Sequence, residues 1–350
     1  MKKLLLIAAA LTTMVSCSKT QVIPEETQQQ EIAMKAFNQT AVKATGPISG
    51  PWLSEDYNDE LMKVYGFYSS DESTYAPYFT ADYKYQTVNS VTAWMGWDGT
   101  AHKPYYWPLT GKMKVIAVFP TGNGTISCTY TSTTGSETIP TITRINNVNL
   151  ETEQDDIMYS SNLYSTPVVC PPADAQELSF QHLLSQVVVA VKPSVAGKIK
   201  VDEVKWLGAY TKSDIVVKET FEATDYDTSV EYTYTDADES RADITYTLST
   251  TLNSVLTGND EFVKVSDNGA LVLPVKTGYA KPQLSITYTF VTDSSDPSKN
   301  ITVTRTVGIG EEWAAGKKYV YNVTINSLNE ITFTAKVADW VTPTSVTPSI

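Results

Sequence analysis

Two histidines, His102 and His182, are the whole imidazole complement of this 350-residue chain. No His-Glu-x-x-His run, Gly-x-Ser-x-Gly elbow or Gly-rich phosphate loop occurs, so a multi-histidine zinc centre and the common nucleophile motifs are absent. His182 falls between Phe180 and Leu184 on the apolar face of a strand-like stretch, the setting of a packed imidazole rather than a general base. Asp225, Asp227, Asp236, Asp238 and Glu239 bring together oxygen ligands, but without the spacing and glycine of a calcium loop. They read as a solvated acidic face. Among 39 acidic residues no particular pair is marked out for glycosidase chemistry. The reading is a protein with no catalytic role, no cofactor and no metal.

Aromatic and sulfur side chains offer two further possibilities. Trp94, Trp97 and Trp107 lie close in sequence to Tyr105 and Tyr106. Exposed together, the three indoles would stack on sugar rings; packed inward, they would be core with polar tips at the rim. Lys2 and Lys3 precede the apolar run Leu4–Leu11, which is too short to span a bilayer, and Cys17 stands where cleavage is due. This reads as a secretory signal over residues 1–16 that resembles a bacterial lipobox, with Cys17 the lipidated mature N-terminus. Plain secretion with an incidental cysteine is the alternative. In an oxidising compartment Cys128 and Cys170 either pair or remain two buried thiols. A net charge of −13 repels phosphate backbones and excludes nucleic acid as a natural partner.

The elements that must carry these residues are strands. Hydrophobic residues make up 42% and charged residues 19%, enough for a globular core, and the 21 tyrosines with abundant Thr and Val favour extended chain. Residues 17–30 form a polar tether. Residues 31–45 hold a strand in which Ile32, Met34 and Ala36 alternate, followed by a Gly/Pro linker. Short strand-like runs then recur, among them Val64–Tyr68, the apolar Met113–Phe119, the alternating Thr125–Thr131, Ile199–Leu207 and Ile215–Phe221. Leu284–Val291 is expected to pair with Ile301–Val307, and the strand bearing Tyr319, Tyr321, Val323 and Ile325 with that bearing Ile331, Phe333, Ala335 and Val337. Leu178–Lys192 reads as one central strand opening a second domain, since Val187 to Val191 is apolar on both faces. The expected fold is all-β with few short helices: two tandem β-sandwiches over residues 46–174 and 175–340, and a tail at 341–350.

Several stretches together resemble the fimbrillin family, the subunits of type V pili. They are Tyr106-Trp107-Pro108 with the Met113–Pro120 strand, Asp156-Ile157-Met158-Tyr159, Leu178 to Leu184, and Trp313 to Tyr321 running on to Ala338-Asp339-Trp340. The resemblance implies two transthyretin-like β-sandwiches, export as an outer-membrane lipoprotein, and display on a surface fimbrium. It also implies assembly with other pilus subunits by donor-strand exchange. In polymerising members a protease removes the N-terminal strand, here Glu31–Val42 with Ile32, Met34 and Ala36, and a neighbour's strand fills the groove. The donor would be the C-terminal segment with Val337, Val341, Val346 and Ile350. The first arginine is Arg144, inside the first domain, so the family's Arg-specific cut has no site near the strand. Lys43 is the nearest basic candidate; another protease, or no cut at all, are the alternatives. A host protein or glycan receptor would be a further partner. From a different class, the competing function is an outer-membrane lipoprotein that binds polysaccharide through Trp94, Trp97 and Trp107.

Overall fold

A computed structural model describes residues 30–38, 59–71, 75–130, 141–151, 154–161, 168–172, 175–194, 198–222, 225–234, 240–252, 254–256, 261–275, 277–326 and 330–339. Within them the chain is built of strands, numbered in chain order, with a 3-10 turn at Pro297–Lys299. The all-β expectation holds.

One sheet contains β1 (Met34–Asn38), β2 (Leu61–Ser69), β3 (Ala76–Val88), β4 (Val91–Trp97), β5 (Lys112–Phe119), β8 (Met158–Ser161), β9 (Val168–Val169) and β10 (Gln176–His182). Its neighbours run β2-β3-β4-β1-β10-β8-β5, and β2 also pairs with β5, so the sheet closes into a ring with β9 attached beyond β5. Closure satisfies backbone groups that an open sheet would leave at its edges. The sequence of β5 shows how the wall is covered on both sides. Met113, Val115, Ala117 and Phe119 belong to one buried cluster, together with Met62, Val64, Leu178 and Phe180 from other staves. Ile116 and Val118, on the opposite face, belong to a second cluster shared with the rest of the molecule. The strands of this N-terminal part are thus joined end to end in one sheet.

The second cluster is filled from three other sheets. β11 (Ser185–Pro193), β17 (Val263–Lys264), β18 (Ala270–Val272), β21 (Lys317–Ile325) and β22 (Ile331–Asp339) form one. β12 (Ile199–Tyr210), β15 (Arg241–Thr245), β16 (Val255–Leu256), β19 (Gln283–Phe290) and β20 (Ile301–Gly308) form the next. Trp206 of β12 and Tyr321 of β21 meet edge to face with ring centroids 5.0 Å apart, which fixes the two sheets against each other. β19 pairs with β20 and β21 with β22 in the anticipated registers, Leu284↔Val307 and Tyr319↔Val337 among them. β11 is central, parallel to β21 on one side and antiparallel to β17 and β18 on the other. The last sheet runs β14-β13-β7-β6, from β6 (Thr125–Tyr130), β7 (Thr141–Asn149), β13 (Lys212–Glu222) and β14 (Asp225–Thr233).

Two sequence expectations need correction. Leu178–Lys192 is not one strand: it breaks at Leu183-Leu184, leaving β10 in the ring and β11 in the sandwich. Three hydrogen bonds hold the break: Leu183 N–H to Ile157 O at 2.9 Å, Tyr232 hydroxyl to Leu183 O at 2.6 Å, and Gly316 N–H to Leu184 O at 2.8 Å. A strand can pair into only one sheet at a time, so the apolar run had to divide where its pairing changes. For the same reason a boundary at residues 174 and 175 does not separate the sheets. β10 lies on the N-terminal side of the fold, and β13 pairs with β7 from Lys212↔Asn149 to Glu219↔Thr141.

Candidate functional site

The short run Ile32-Ala33-Met34-Lys35-Ala36 alternates apolar and other residues because one of its faces looks into the ring. Ile32 and Met34 are wholly buried and Ala36 nearly so, all within the cluster lined by Val64, Val115 and Leu178. Lys35, on the opposite face, is exposed. β1 runs parallel to β10, with Met34 opposite Gln176 and Ala36 opposite Leu178. On its other side it meets β4 at a single register pair, Met34↔Trp94. The residues before it are held by the segment that follows β4. Ile32 N–H donates to Tyr105 O at 2.7 Å and Trp107 N–H to Gln30 O at 2.9 Å. Tyr83 adds a longer hydroxyl contact to Ile32 O at 3.4 Å. Burial, with the Glu31 carboxylate nearby, pushes the Tyr83 phenol far above its ordinary pKa, so it remains a donor.

Glu31 closes this end. Its Oε1 lies 2.5 Å from His102 Nε2, and both side chains are about a quarter exposed, 25% and 24%. His102 is set by a tight turn. Asp98 Oδ1 accepts from Thr100 N–H at 2.8 Å, Ala101 N–H at 2.8 Å and the Thr100 hydroxyl at 2.9 Å, and His102 bridges back to Trp97. The amides of Ala101 and Thr100 hold the Asp98 carboxyl below its usual range. Lys103 N–H donates to Gly96 O at 2.9 Å. A Cβ on Gly96 would stand 2.1 Å from Lys103 O and 2.7 Å from the Tyr105 ring, so only glycine lets this segment lie on β4. Nothing in the sequence linked Glu31 to His102, 71 residues apart; the contact exists only because the ring brings β1 beside β4.

The remaining sequence candidates are placed as follows. Trp94 and Trp107 are core, 3% and 1% exposed, and only Trp97 is partly open, with the Lys84 ammonium 4.9 Å from its ring centre. The expected sugar platform is therefore corrected: two of its three indoles have no accessible face, because they fill the ring. Trp107 Nε1–H is buried with no acceptor among the described residues, so packing alone sets that indole. Cys128 and Cys170 are not disulfide-bonded. Cys128 is on β6 and contributes to the larger cluster, Cys170 packs inside the ring, and the ring wall stands between these cores. Burial raises the Cys170 thiol to about 11. His182 is buried, its Nδ1 2.8 Å from Asp156 Oδ2. Val337 lies in β22, 53% exposed and paired with Tyr319. Among the described residues no three His, Cys, Asp or Glu side chains gather as a metal site, and no helix is long and apolar enough to cross a membrane. Cys17, Lys43, Val341, Val346 and Ile350 lie outside the described residues, as do the side chains of the acidic group at 225–239.

No curated protein sequence matches the chain. Among solved structures it is similar to a candidate cell adhesion protein from Bacteroides ovatus, at 12% identity and a TM-score of 0.47, covering 90% of this chain and 99% of that one. A candidate cell adhesion protein from Bacteroides uniformis aligns at 14% identity and 0.45, covering 89% and 98%. The fimbrial anchor protein Mfa2 from Porphyromonas gingivalis aligns at 10% and 0.31, covering 89% and 99%. The fimbrillin-like family model matches residues 56–340, most of the chain, and the chain therefore belongs to the fimbrillin-like family.

Proposed function

We propose that the chain is a subunit of a surface fimbrium, assembled by replacement of β1 with a strand from a neighbouring subunit. One observation carries the reading: β1 is a stave of a closed sheet, yet it meets β4 at only one register pair. Its departure would leave an apolar slot where Ile32, Met34 and Ala36 had been, and unpaired backbone groups along β10. An incoming extended segment satisfies both at once. A contact of this head-to-tail kind does not close and so propagates as a filament.

In this reading the chain is exported as a lipoprotein, acylated at Cys17 and held at the outer membrane before assembly. A cut in residues 39–50, with Lys43 the basic candidate, frees β1. The donor is the C-terminal segment of the neighbour. Val337 would have to leave its pairing with Tyr319 to take part, so Val341, Val346 and Ile350 are the donor residues that need not unpick β22. The role is structural or adhesive rather than catalytic. The test is limited proteolysis followed by size analysis: loss of residues 1–43 should yield ladders of oligomers and filaments in electron micrographs. Protein that stays monomeric after complete removal of the strand would refute the proposal.

A further inference from the structure

Apolar alternation alone is a poor specification of register. A one-residue slip in the β1 position would turn the apolar face outward, but a two-residue slip keeps two of its three inward positions apolar and brings only Gln30 or Asn38 into the third. The feature that a two-residue slip would destroy lies at the strand's entrance. Glu31, directly before the first buried residue, meets His102 at 2.5 Å. Slipped by two in either direction, the chain would present Ala33 or Gln29 there; slipped by four, Lys35. None offers a carboxylate, and the last would set an ammonium beside His102.

We infer that His102 is a specificity-determining residue of the groove, selecting strands with a carboxylate directly ahead of two alternating apolar residues and a small one. The backbone that carries the imidazole is held independently of Glu31 by the Asp98 turn and by its bridge to Trp97. The imidazole is about three-quarters shielded, where a charge-assisted hydrogen bond gains strength over one in bulk water. The preferred occupant is therefore an extended segment of another protein with an acidic residue, apolar residues one and three places later, and a small residue five places later. This chain's own C-terminal segment does not fit. Its one acidic residue after Val337 is Asp339, followed at those places by Trp340, Thr342 and Thr344. The inference rests on the strand-replacement reading and adds that the cognate donor comes from a different subunit.

The test uses the full chain, folded first and then nicked at a protease site inserted between residues 39 and 50, so that the leading segment stays bound. A fluorescent peptide of residues 30–38 is added and its exchange followed by anisotropy, with unlabelled peptides competing. The native peptide should compete roughly tenfold better than its E31Q form, the span of one hydrogen bond to a charged group. It should also outcompete a peptide of residues 337–350. In H102Q protein the native and E31Q peptides should become equal. Equal competition on the unmodified groove, or equal competition by the 337–350 peptide, overturns the selection and leaves strand replacement standing. No exchange by any peptide overturns strand replacement and the selection with it.

Discussion

Met34→Ala is the substitution that separates a replaceable stave from an ordinary piece of core. Met34 is fully buried, lies between β4 and β10, and sits in the middle of the apolar face of β1. Truncating such a side chain costs about 2–5 kcal/mol in lost transfer energy and cavity. At about 3 kcal/mol, every opening that exposes β1 becomes roughly a hundredfold more populated. Hydrogen exchange followed by mass spectrometry reads this by region. If β1 opens by itself, amides of β1 and of β10 opposite it should exchange about a hundredfold faster, while those of β19 and β20 stay as in the unmodified protein. Met62→Ala supplies the control, since Met62 is equally buried in the same cluster but sits on β2, which is paired along its length with β3 and β5. It should accelerate exchange throughout the ring. A uniform acceleration by Met34→Ala, matching Met62→Ala, would refute the reasoning: β1 would then open only when the whole ring does.

Four further outcomes follow from the geometry. Gly96→Ala should lower the melting temperature and speed exchange at Ile32, because the added Cβ drives Lys103 and Tyr105 off β4; unchanged exchange there would mean the segment does not hold the strand. Tyr246→Phe should cost about 1–3 kcal/mol in urea unfolding, since it strands the buried Trp206 Nε1–H, now 2.9 Å from the Tyr246 hydroxyl, and the Val187 carbonyl that this hydroxyl reaches at 2.8 Å. The hydrogen bond from Lys212, with that from Thr211, lowers the Glu151 carboxyl below 4.5 despite partial desolvation. A depressed folded value means its contribution is full above 4.5 and disappears as pH falls through the lowered value, so Glu151→Gln should lose that small contribution at neutral pH, flatten the acid limb below pH 4.5 and converge on the unmodified protein at the acid end. Finally, in protein carrying Cys17→Ala, Cys128 should alkylate in the native state on the order of a hundredfold faster than Cys170 at pH 8, because the buried thiol at about 11 yields little thiolate. A single class of fast thiols would contradict the burial of Cys170.

What could be read before the structure was what depends on neighbours along the chain. Short apolar or alternating runs announced β5, β19, β20, β21 and β22, and the β19–β20 and β21–β22 pairings were legible because their partners are adjacent in sequence. The inward face of β1 was legible for the same reason: Ile32, Met34 and Ala36 obey the two-residue period of a strand, whichever sheet receives them. Periodicity is silent about partners. It gave Leu178–Lys192 one continuous apolar run, although Phe180 packs inside the ring and Val187 inside the sandwich, since both environments ask for the same side chains. It left Trp94 and Trp107 open to two readings, because an indole suits a core and a sugar face equally. Ring closure through β2 and β5, the pairing of β7 with β13, and the meeting of Glu31 with His102 are contacts between distant residues. The sequence alone determined that strands would form and which face of each would be apolar, because those are local consequences of side-chain alternation. Only the tertiary structure decided which strand closes the ring and which residue guards its entrance, because pairing partners are chosen by the packing of the whole chain.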